Sequence, residues 1–125
     1  MGPELATTRR IVEVPATTID QVAHGLDPST DLVWMDIQGY EVTALRGAED
    51  ARAARVPIVI EFWPEGILAT GETLIELLAL LSEYSEFADL SLSSAGFYPL
   101  DDLPNLWISL LDGQRGRGYV GVLLR

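Results

Sequence analysis

The strongest constraint on the fold is the stretch from Asp31 to Glu41, which reads DLVWMDIQGYE. It is an apolar run with one interior charge, Asp36, and it reaches Gly39 just before a segment with helical spacing. This pattern is typical of a buried strand that leads through a turn into a helix. Ligands of open α/β sheets bind beyond the carboxyl ends of the strands. We therefore expect Asp36 and Glu41 to lie where a ligand or substrate binds.

The remaining elements alternate between strands and helices. Capping-box patterns predict helices that begin after Thr18 and Thr73, and Gly47 is predicted to divide a third helical segment in two. Apolar spacing predicts another helix over 103–111. Further strands are predicted at 10–14, 58–63, 88–92 and 119–124, with a short return at 97–98. The alternation predicts a three-layer α/β fold, in which helices flank a mostly parallel sheet of five strands and the last strand is inserted beside its neighbours.

Length and charge limit the domain organisation and the kinds of partner. The 125 residues fit one domain, with a disordered tail predicted at 1–9. Nineteen acidic residues against eight basic ones give a net charge of -11, which disfavours nucleic acid and membrane surfaces as partners. Because the sequence has no cysteine, it has no thiolate nucleophile and no Cys-bound zinc. No targeting or membrane-spanning segment is recognised, so we expect a soluble, cytoplasmic protein.

Three carboxylates are candidates for chemistry, and each has a structural alternative. Asp36 could orient a cofactor or an acceptor hydroxyl, hold a hard cation, or cap the following turn. Glu41 lies near a helix start, where the helix dipole stabilises an acid. Glu61 stands inside an apolar strand, where an unpaired carboxylate is costly and usually has a partner or a function. Its structural alternative is a strand-end acid paired with an arginine. No metal-ligand set is predicted.

Three ordered segments carry a family pattern. They read VPATTID at 14–20, WMDIQGYEVTALRGA at 34–48 and PIVIE at 57–61. Together they resemble the FkbM family of S-adenosylmethionine-dependent methyltransferases, whose members typically show an Asp-Val-Glu-Gly-x-Glu turn. The resemblance implies a Rossmann-like fold and O-methylation of a hydroxyl on a small molecule or glycan. It implies that Asp36, Gln38 and Gly39 contact the cofactor S-adenosylmethionine, and that Asp36, Glu41 and Glu61 are the catalytic candidates.

Two features depart from the family pattern. Gln38 stands where family members usually carry Glu, which replaces a charge with an amide. The family's earlier half, with its Gly-rich loop and ribose-binding acid, has no counterpart, so the chain is expected to hold only the fourth to seventh strands of a methyltransferase sheet. The GRGYVG segment at 116–121 enters a strand instead of leaving one, so it is not a dinucleotide-binding loop. We expect the chain alone to bind S-adenosylmethionine weakly or not at all and to be inactive.

A second interpretation makes the chain a non-catalytic interaction module derived from a methyltransferase. The first strand of a whole methyltransferase normally covers the strand at 32–37. Here that strand presents an apolar edge unless the segment 10–14 covers it. Such an edge favours pairing with a second copy of the chain or with a strand of another protein.

Overall fold

The computed structural model describes residues 9–93 and 96–125. Within these ranges the strands are β1 (Val33–Met35), β2 (Ile58–Phe62), β3 (Glu86–Asp89), β4 (Phe97–Pro99) and β5 (Val120–Leu124). The helices are α1 (Ile19–Val22), α2 (Glu41–Arg46), α3 (Glu49–Ala53), α4 (Pro64–Ala69), α5 (Leu74–Leu80) and α6 (Leu103–Leu111), with a 3-10 turn at Leu100–Asp102 before α6. Most of the tail predicted at 1–9 lies outside the described residues. None of the described helices is long and apolar enough to cross a membrane.

The strands of the described ranges form one mixed sheet in the order β1-β2-β5-β3-β4. β1 pairs in parallel with β2, whereas the β2–β5, β5–β3 and β3–β4 pairings are antiparallel. The prediction of an α/β fold with an inserted last strand is confirmed, but the prediction of a mostly parallel sheet is wrong. The reason is the insertion itself. β1, β2 and β3 run in one direction, and β5 enters between β2 and β3 in the opposite direction.

Local sequence signals account for several helix ends. The Thr18 hydroxyl accepts a hydrogen bond from the Gln21 amide at 3.2 Å, and the Gln21 side chain accepts one from the Thr18 amide at 3.3 Å. Thr73 caps α5 by accepting a hydrogen bond from the Glu76 amide at 3.2 Å. These bonds satisfy amide groups that have no partner inside the helix. Gly47 separates α2 from α3, as predicted.

Two local predictions fail for different reasons. The segment 10–14 is not a strand, and its apolar side chains are exposed. A β-branched run becomes a strand only when a neighbouring strand pairs with it. The residues after Trp63 form α4, where the sequence pattern indicated only the end of a strand. Pro64 at the first helical position explains this, because its fixed φ suits a helix start and its missing amide hydrogen is not needed there.

The described helices pack on one face of the sheet. Alternate strand residues join helix residues in the main core, which contains Met35, Val42, Leu45, Ile58, Ile60, Phe62, Ile67, Leu77, Leu81, Tyr84, Phe87, Leu103, Leu106, Trp107, Leu110, Val120, Val122 and Leu124. The opposite face, which we call the open face, carries Trp34, Val59, Glu61, Ala88 and Leu123. Trp34 is 70% exposed there, although the sequence pattern predicted a core position. The described residues therefore form two layers, the sheet and one layer of helices, instead of the predicted three.

Candidate active site at the carboxyl ends of β1 and β2

A tight turn follows β1. The Tyr40 amide donates to the Ile37 carbonyl at 3.3 Å, and the two central residues, Gln38 and Gly39, have φ of 57° and 97°. Two positive φ angles in succession are typical of primed turns. A left-handed conformation is unfavourable for Gln38, because its Cβ approaches the following carbonyl. The turn brings the Gln38 side-chain amide to Asp36, and it donates to Oδ1 at 3.1 Å.

This turn packs directly against α4. A Cβ on Gly39 would lie 2.4 Å from the Gly66 carbonyl oxygen, and a Cβ on Gly66 would lie 2.0 Å from the Trp63 ring. Thr70 Oγ1 adds a hydrogen bond to the Gly39 carbonyl at 3.2 Å. The segments that follow β1 and β2 are thus held side by side. Gly39 has a packing reason to be glycine, and its role as a cofactor contact stays a prediction.

Glu41 supports the same turn from inside the protein. It is the first residue of α2 and is fully buried. Its Oε1 accepts a hydrogen bond from the Ile37 amide at 3.2 Å, while Oε2 has no hydrogen-bond partner among the described residues. The geometry therefore matches the structural alternative, an acid in the first helical turn. Asp36 does not cap α2, because the N-cap residue is Tyr40 and none of the side chains that the structure describes forms a capping hydrogen bond there.

Asp36 and Glu61 are neighbouring carboxyl groups at the ends of β1 and β2. Met35 is in register with Ile60 on the neighbouring parallel strand, so the residues that follow them lie side by side. A hydrogen bond with Asp36, partial burial and repulsion by the charges of Asp36 and Glu41 raise the pKa of Glu61 to about 7. No ion pair among the described residues contains Glu61, which argues against the arginine-paired alternative.

A cavity of about 500 Å³ opens over this pair. Its lining residues are Asp36, Gln38, Glu61, Trp63, Glu65, Gly118 and Tyr119. The volume suits a small ligand. The lining contains three carboxylates and no basic side chain, so it favours neutral or cationic groups over anions.

The sequence pattern did not place Glu65, Gly118 or Tyr119 in the site. Gly118 and Tyr119 come to it because Val120 pairs with Phe62, which puts the start of β5 beside the end of β2. Only the antiparallel insertion of the last strand reveals this contact.

Two other side chains that could take part in chemistry, His24 and Arg115, do not line this cavity. His24 is exposed beyond the end of α1 and lines a different cavity. Arg115 pairs with the buried carboxylate of Asp89 and donates to the Ser91 hydroxyl at 2.8 Å. Within the described ranges, no group of three or more His, Cys, Asp or Glu residues is arranged to hold a metal ion.

A model of the methyltransferase FkbM domain matches residues 3–97. The chain belongs to this family. The match covers most of the chain, including Asp36, Glu41 and Glu61, and it confirms the resemblance seen in the sequence. No curated protein matches the chain significantly. Members of the FkbM family are generally S-adenosylmethionine-dependent, so a methyltransferase-like function follows from the family.

The cavity suits one part of that cofactor. Its carboxylates and aromatic side chains favour a positively charged sulfonium group. They provide no cationic partner for the cofactor's own carboxylate, because the lining has no Lys, Arg or His. The lining residues therefore fit the sulfonium end of S-adenosylmethionine and leave its amino-acid carboxylate without a charged partner.

Proposed function

We propose that this chain provides the acceptor side of an S-adenosylmethionine-dependent O-methyltransferase, in which Glu61 and Asp36 receive the proton of a hydroxyl on a small molecule or glycan. The observation that supports this most is the raised pKa of Glu61, about 7, beside Asp36 at the ends of adjacent parallel strands. A general base works best when its pKa lies near the working pH. Most carboxyl groups are too acidic to meet that condition.

The proton has a defined path in this proposal. The cofactor, when bound, would supply a methyl group activated on a positively charged sulfur, and the sulfur would leave as a neutral thioether that keeps the electron pair of the broken carbon–sulfur bond. Glu61 in its carboxylate form accepts the proton that the acceptor hydroxyl loses. The Glu61 carboxyl then donates a hydrogen bond to Asp36, and the Gln38 amide keeps Asp36 oriented. Release of the proton to solvent restores the base.

The predicted cofactor contacts are Asp36, Gln38 and Gly39, and Asp36 and Gln38 line the cavity. Since the lining offers no basic partner for the cofactor carboxylate, we infer that a further polypeptide segment completes the cofactor site. The chain alone then binds S-adenosylmethionine weakly or not at all. Calorimetric titration of the cofactor into the chain is expected to give no saturation in the micromolar range. Saturable micromolar binding would contradict this inference.

Acceptor binding tests the other half of the proposal. Neutral sugars and small alcohols should shift the NMR signals of Asp36 and Glu61 in a saturable way, whereas phosphorylated sugars should not, because the site is acidic. Glu61→Gln should weaken the binding about tenfold, while the control Glu65→Gln, at the exposed rim of the same cavity, should change it less than threefold. Unchanged signals with every neutral acceptor, or equal effects of both variants, would refute the assignment.

A non-catalytic interaction module is the second candidate function. The specific observation in its favour is Trp34, which is 70% exposed in the centre of an edge strand. An exposed aromatic side chain at that position contributes nothing to the carboxylate cavity. It suits a contact with another protein.

A further inference from the structure

A second cavity lies between α6 and the strands β3 and β4, and we call it the hairpin cavity. Its volume is about 330 Å³. Asp89 in this cavity is in register with the core residue Val122, so the cavity belongs to the covered face, whereas Glu61 lies on the open face. The two sets of lining residues have no described residue in common. The lining residues of the hairpin cavity are Phe87, Asp89, Leu92, Tyr98, Asp102, Asn105, Leu106, Ser109 and Arg115.

The sheet side of the hairpin cavity is aromatic. Phe87 and Tyr98 are directly opposed on β3 and β4, and their ring centroids lie 5.8 Å apart with the ring planes inclined by 34°. Phe87 is buried, while Tyr98 is 42% exposed. Because the face of an aromatic ring is slightly negative, it attracts the slightly positive C–H groups of a ligand. This side of the cavity therefore suits the apolar face of a ring-shaped ligand.

The helix side of the hairpin cavity is polar. Asn105 and Ser109 lie four residues apart on α6, so they share one face of the helix. The Ser109 hydroxyl donates to the Leu106 carbonyl at 2.8 Å, which leaves its oxygen able to accept a further hydrogen bond. In contrast, the apolar Ile108 of the same helix is 58% exposed. A surface helix normally turns its apolar side chains inward, so polar residues in a cavity and an exposed Ile108 favour a polar ligand at this place.

Arg115 brings a charge that already has a partner. Its Nη2 donates to the buried carboxylate of Asp89 and to the Ser91 hydroxyl. The ion pair thereby ties the loop before β5 to the end of β3, which is a structural role. A guanidinium group has five N–H donors, and Nη2 alone makes both of these contacts. Nε and Nη1 of Arg115 can therefore still donate to oxygen atoms of a ligand.

The charges around the hairpin cavity favour a neutral ligand. The guanidinium of Arg115 disfavours a cation. An anion is disfavoured by Asp102, by the net charge of -11 and by the pairing of Arg115 with Asp89, which offsets the one positive charge of the lining. Ligand selection then depends on hydrogen bonds and on contact with the aromatic side.

We propose that the hairpin cavity is a second ligand site, which binds a neutral ring that carries several hydroxyl groups, the chemistry of one sugar unit. The apolar face of the ring lies on Tyr98. Its hydroxyl groups exchange hydrogen bonds with Asn105 and Ser109 and accept from Arg115. The volume of the cavity suits a ligand of this size. The site is on the opposite face of the sheet from Glu61, so the proposal does not depend on the proposed methyl transfer.

NMR titrations with a charge series test the ligand class. The neutral probes are the methyl glycosides of glucose, galactose and mannose, and the reporter is the backbone amide signal of Ser109. At least one of these probes should shift that signal in a saturable way in the millimolar range. The uronate and the amino sugar with the same ring should bind about fivefold more weakly, because each adds a charge. A charged analogue that binds as tightly as the neutral probe would overturn the proposal.

A pair of tyrosine variants tests the location. Tyr98→Leu removes the aromatic surface and should weaken the binding about tenfold. The matched control is Tyr119→Leu, because Tyr119 has a similar exposure of 48% but lines the carboxylate cavity. The control should leave the titration at Ser109 unchanged. Equal effects of the two variants would overturn the assignment.

A polar variant tests the hydrogen bonds without touching the contact between Tyr98 and Phe87. Asn105→Ala should weaken the binding about fivefold, whereas Gln114→Ala, in the exposed loop before β5, should not change it. The absence of a saturable shift at Ser109 with every neutral glycoside would overturn the proposal. Shifts at Asp36 and Glu61 without a shift at Ser109 would do the same, while they would leave the proposed acceptor site standing.

Discussion

The two faces of the sheet carry different properties of the molecule. On the covered face Ile58, Ile60 and Phe62 are fully buried under the helices. On the open face the same strand presents Glu61, which has a raised pKa, and its neighbour β1 presents Trp34. Stability thus comes mainly from one face, while the candidate chemistry and the candidate association surface belong to the other. Substitutions on the two faces are therefore expected to differ in size and in kind.

The largest expected effect is the removal of a large side chain from the covered face. Phe62 is fully buried and packs edge-on against Trp107, with ring centroids 5.6 Å apart. Phe62→Ala should lower the free energy of unfolding by about 3–5 kcal/mol in urea titrations. Trp34→Ala should change it by less than about 0.5 kcal/mol. A comparable loss for Trp34→Ala would mean that the open face is covered.

The next largest effect concerns the contact that joins the two strand ends. Gly39→Ala should lower the free energy of unfolding by about 2–4 kcal/mol, because its φ is 97° and the new Cβ would meet the Gly66 carbonyl. Gly113→Ala is the matched control. Its φ is 80°, but in the described part of the chain no atom beyond its two sequence neighbours lies within 4 Å of an added Cβ. In that variant the free energy of unfolding should fall by only about 1 kcal/mol, the cost of the backbone conformation alone. Equal losses would show that the approach to Gly66 is unimportant.

The contribution of Glu61, on the open face, to stability should depend on pH in a predictable direction. The pKa of Glu61 rises from 4.5 to about 7 on folding, so the folded state binds this proton more tightly than the unfolded state. The stability that the folded state gains by binding this proton is complete below pH 4.5 and is lost as the pH rises to 7. Glu61→Gln removes this loss. It should be more stable than the parent chain at pH 8 by about 1 kcal/mol, less than the full linkage value because the site is partly solvated.

The measurement for that prediction is the difference in unfolding free energy between variant and parent from pH 4 to pH 8. Using the difference cancels the pH dependence of the other acids. Glu65→Gln, which also removes a carboxylate from the cavity lining, is the control and should give a flatter difference. A pH-independent difference for Glu61→Gln would exclude the raised pKa.

The smallest expected effect is a shift in the titration midpoint of Glu61, with little change in stability. Asp36→Asn removes a negative charge and the acceptor of the Glu61 hydrogen bond, which are two causes of the raised pKa. The pKa of Glu61 should therefore fall from about 7 toward 4.5, as followed by the NMR signal of its side-chain carboxyl carbon. A midpoint that stays near 7 would assign the raised pKa to burial and the charge of Glu41, without a contribution from Asp36.

Much of the site could be predicted because its signals are local. The turn after β1, the capping residues Thr18 and Thr73, and the division at Gly47 each depend on residues close together in sequence. Asp36 and Glu61 come together because each follows the same point of two neighbouring parallel strands, which the alternation of elements already indicated.

The parts that could not be predicted depend on distant pairings. Tyr119 joins the cavity only because β5 pairs with β2 in the opposite direction. The apolar run predicted a buried position for Trp34. Such a run does not show which face of the strand another element covers. The residues at 10–14 have the β-branched composition that is typical of a strand. They do not form one, because none of the described strands pairs with them.

The insertion of β5 has a consequence for how the protein acquires its structure. β5, the last of the described strands, lies in the middle of the sheet, where it pairs with β2 on one side and β3 on the other, and Ile58 is in register with Leu124. Until residues 120–124 have left the ribosome, the β1–β2 pair and the β3–β4 hairpin have no strand between them. The sheet is therefore completed as a late, long-range step, and such steps fold slowly and expose unpaired edges while they wait.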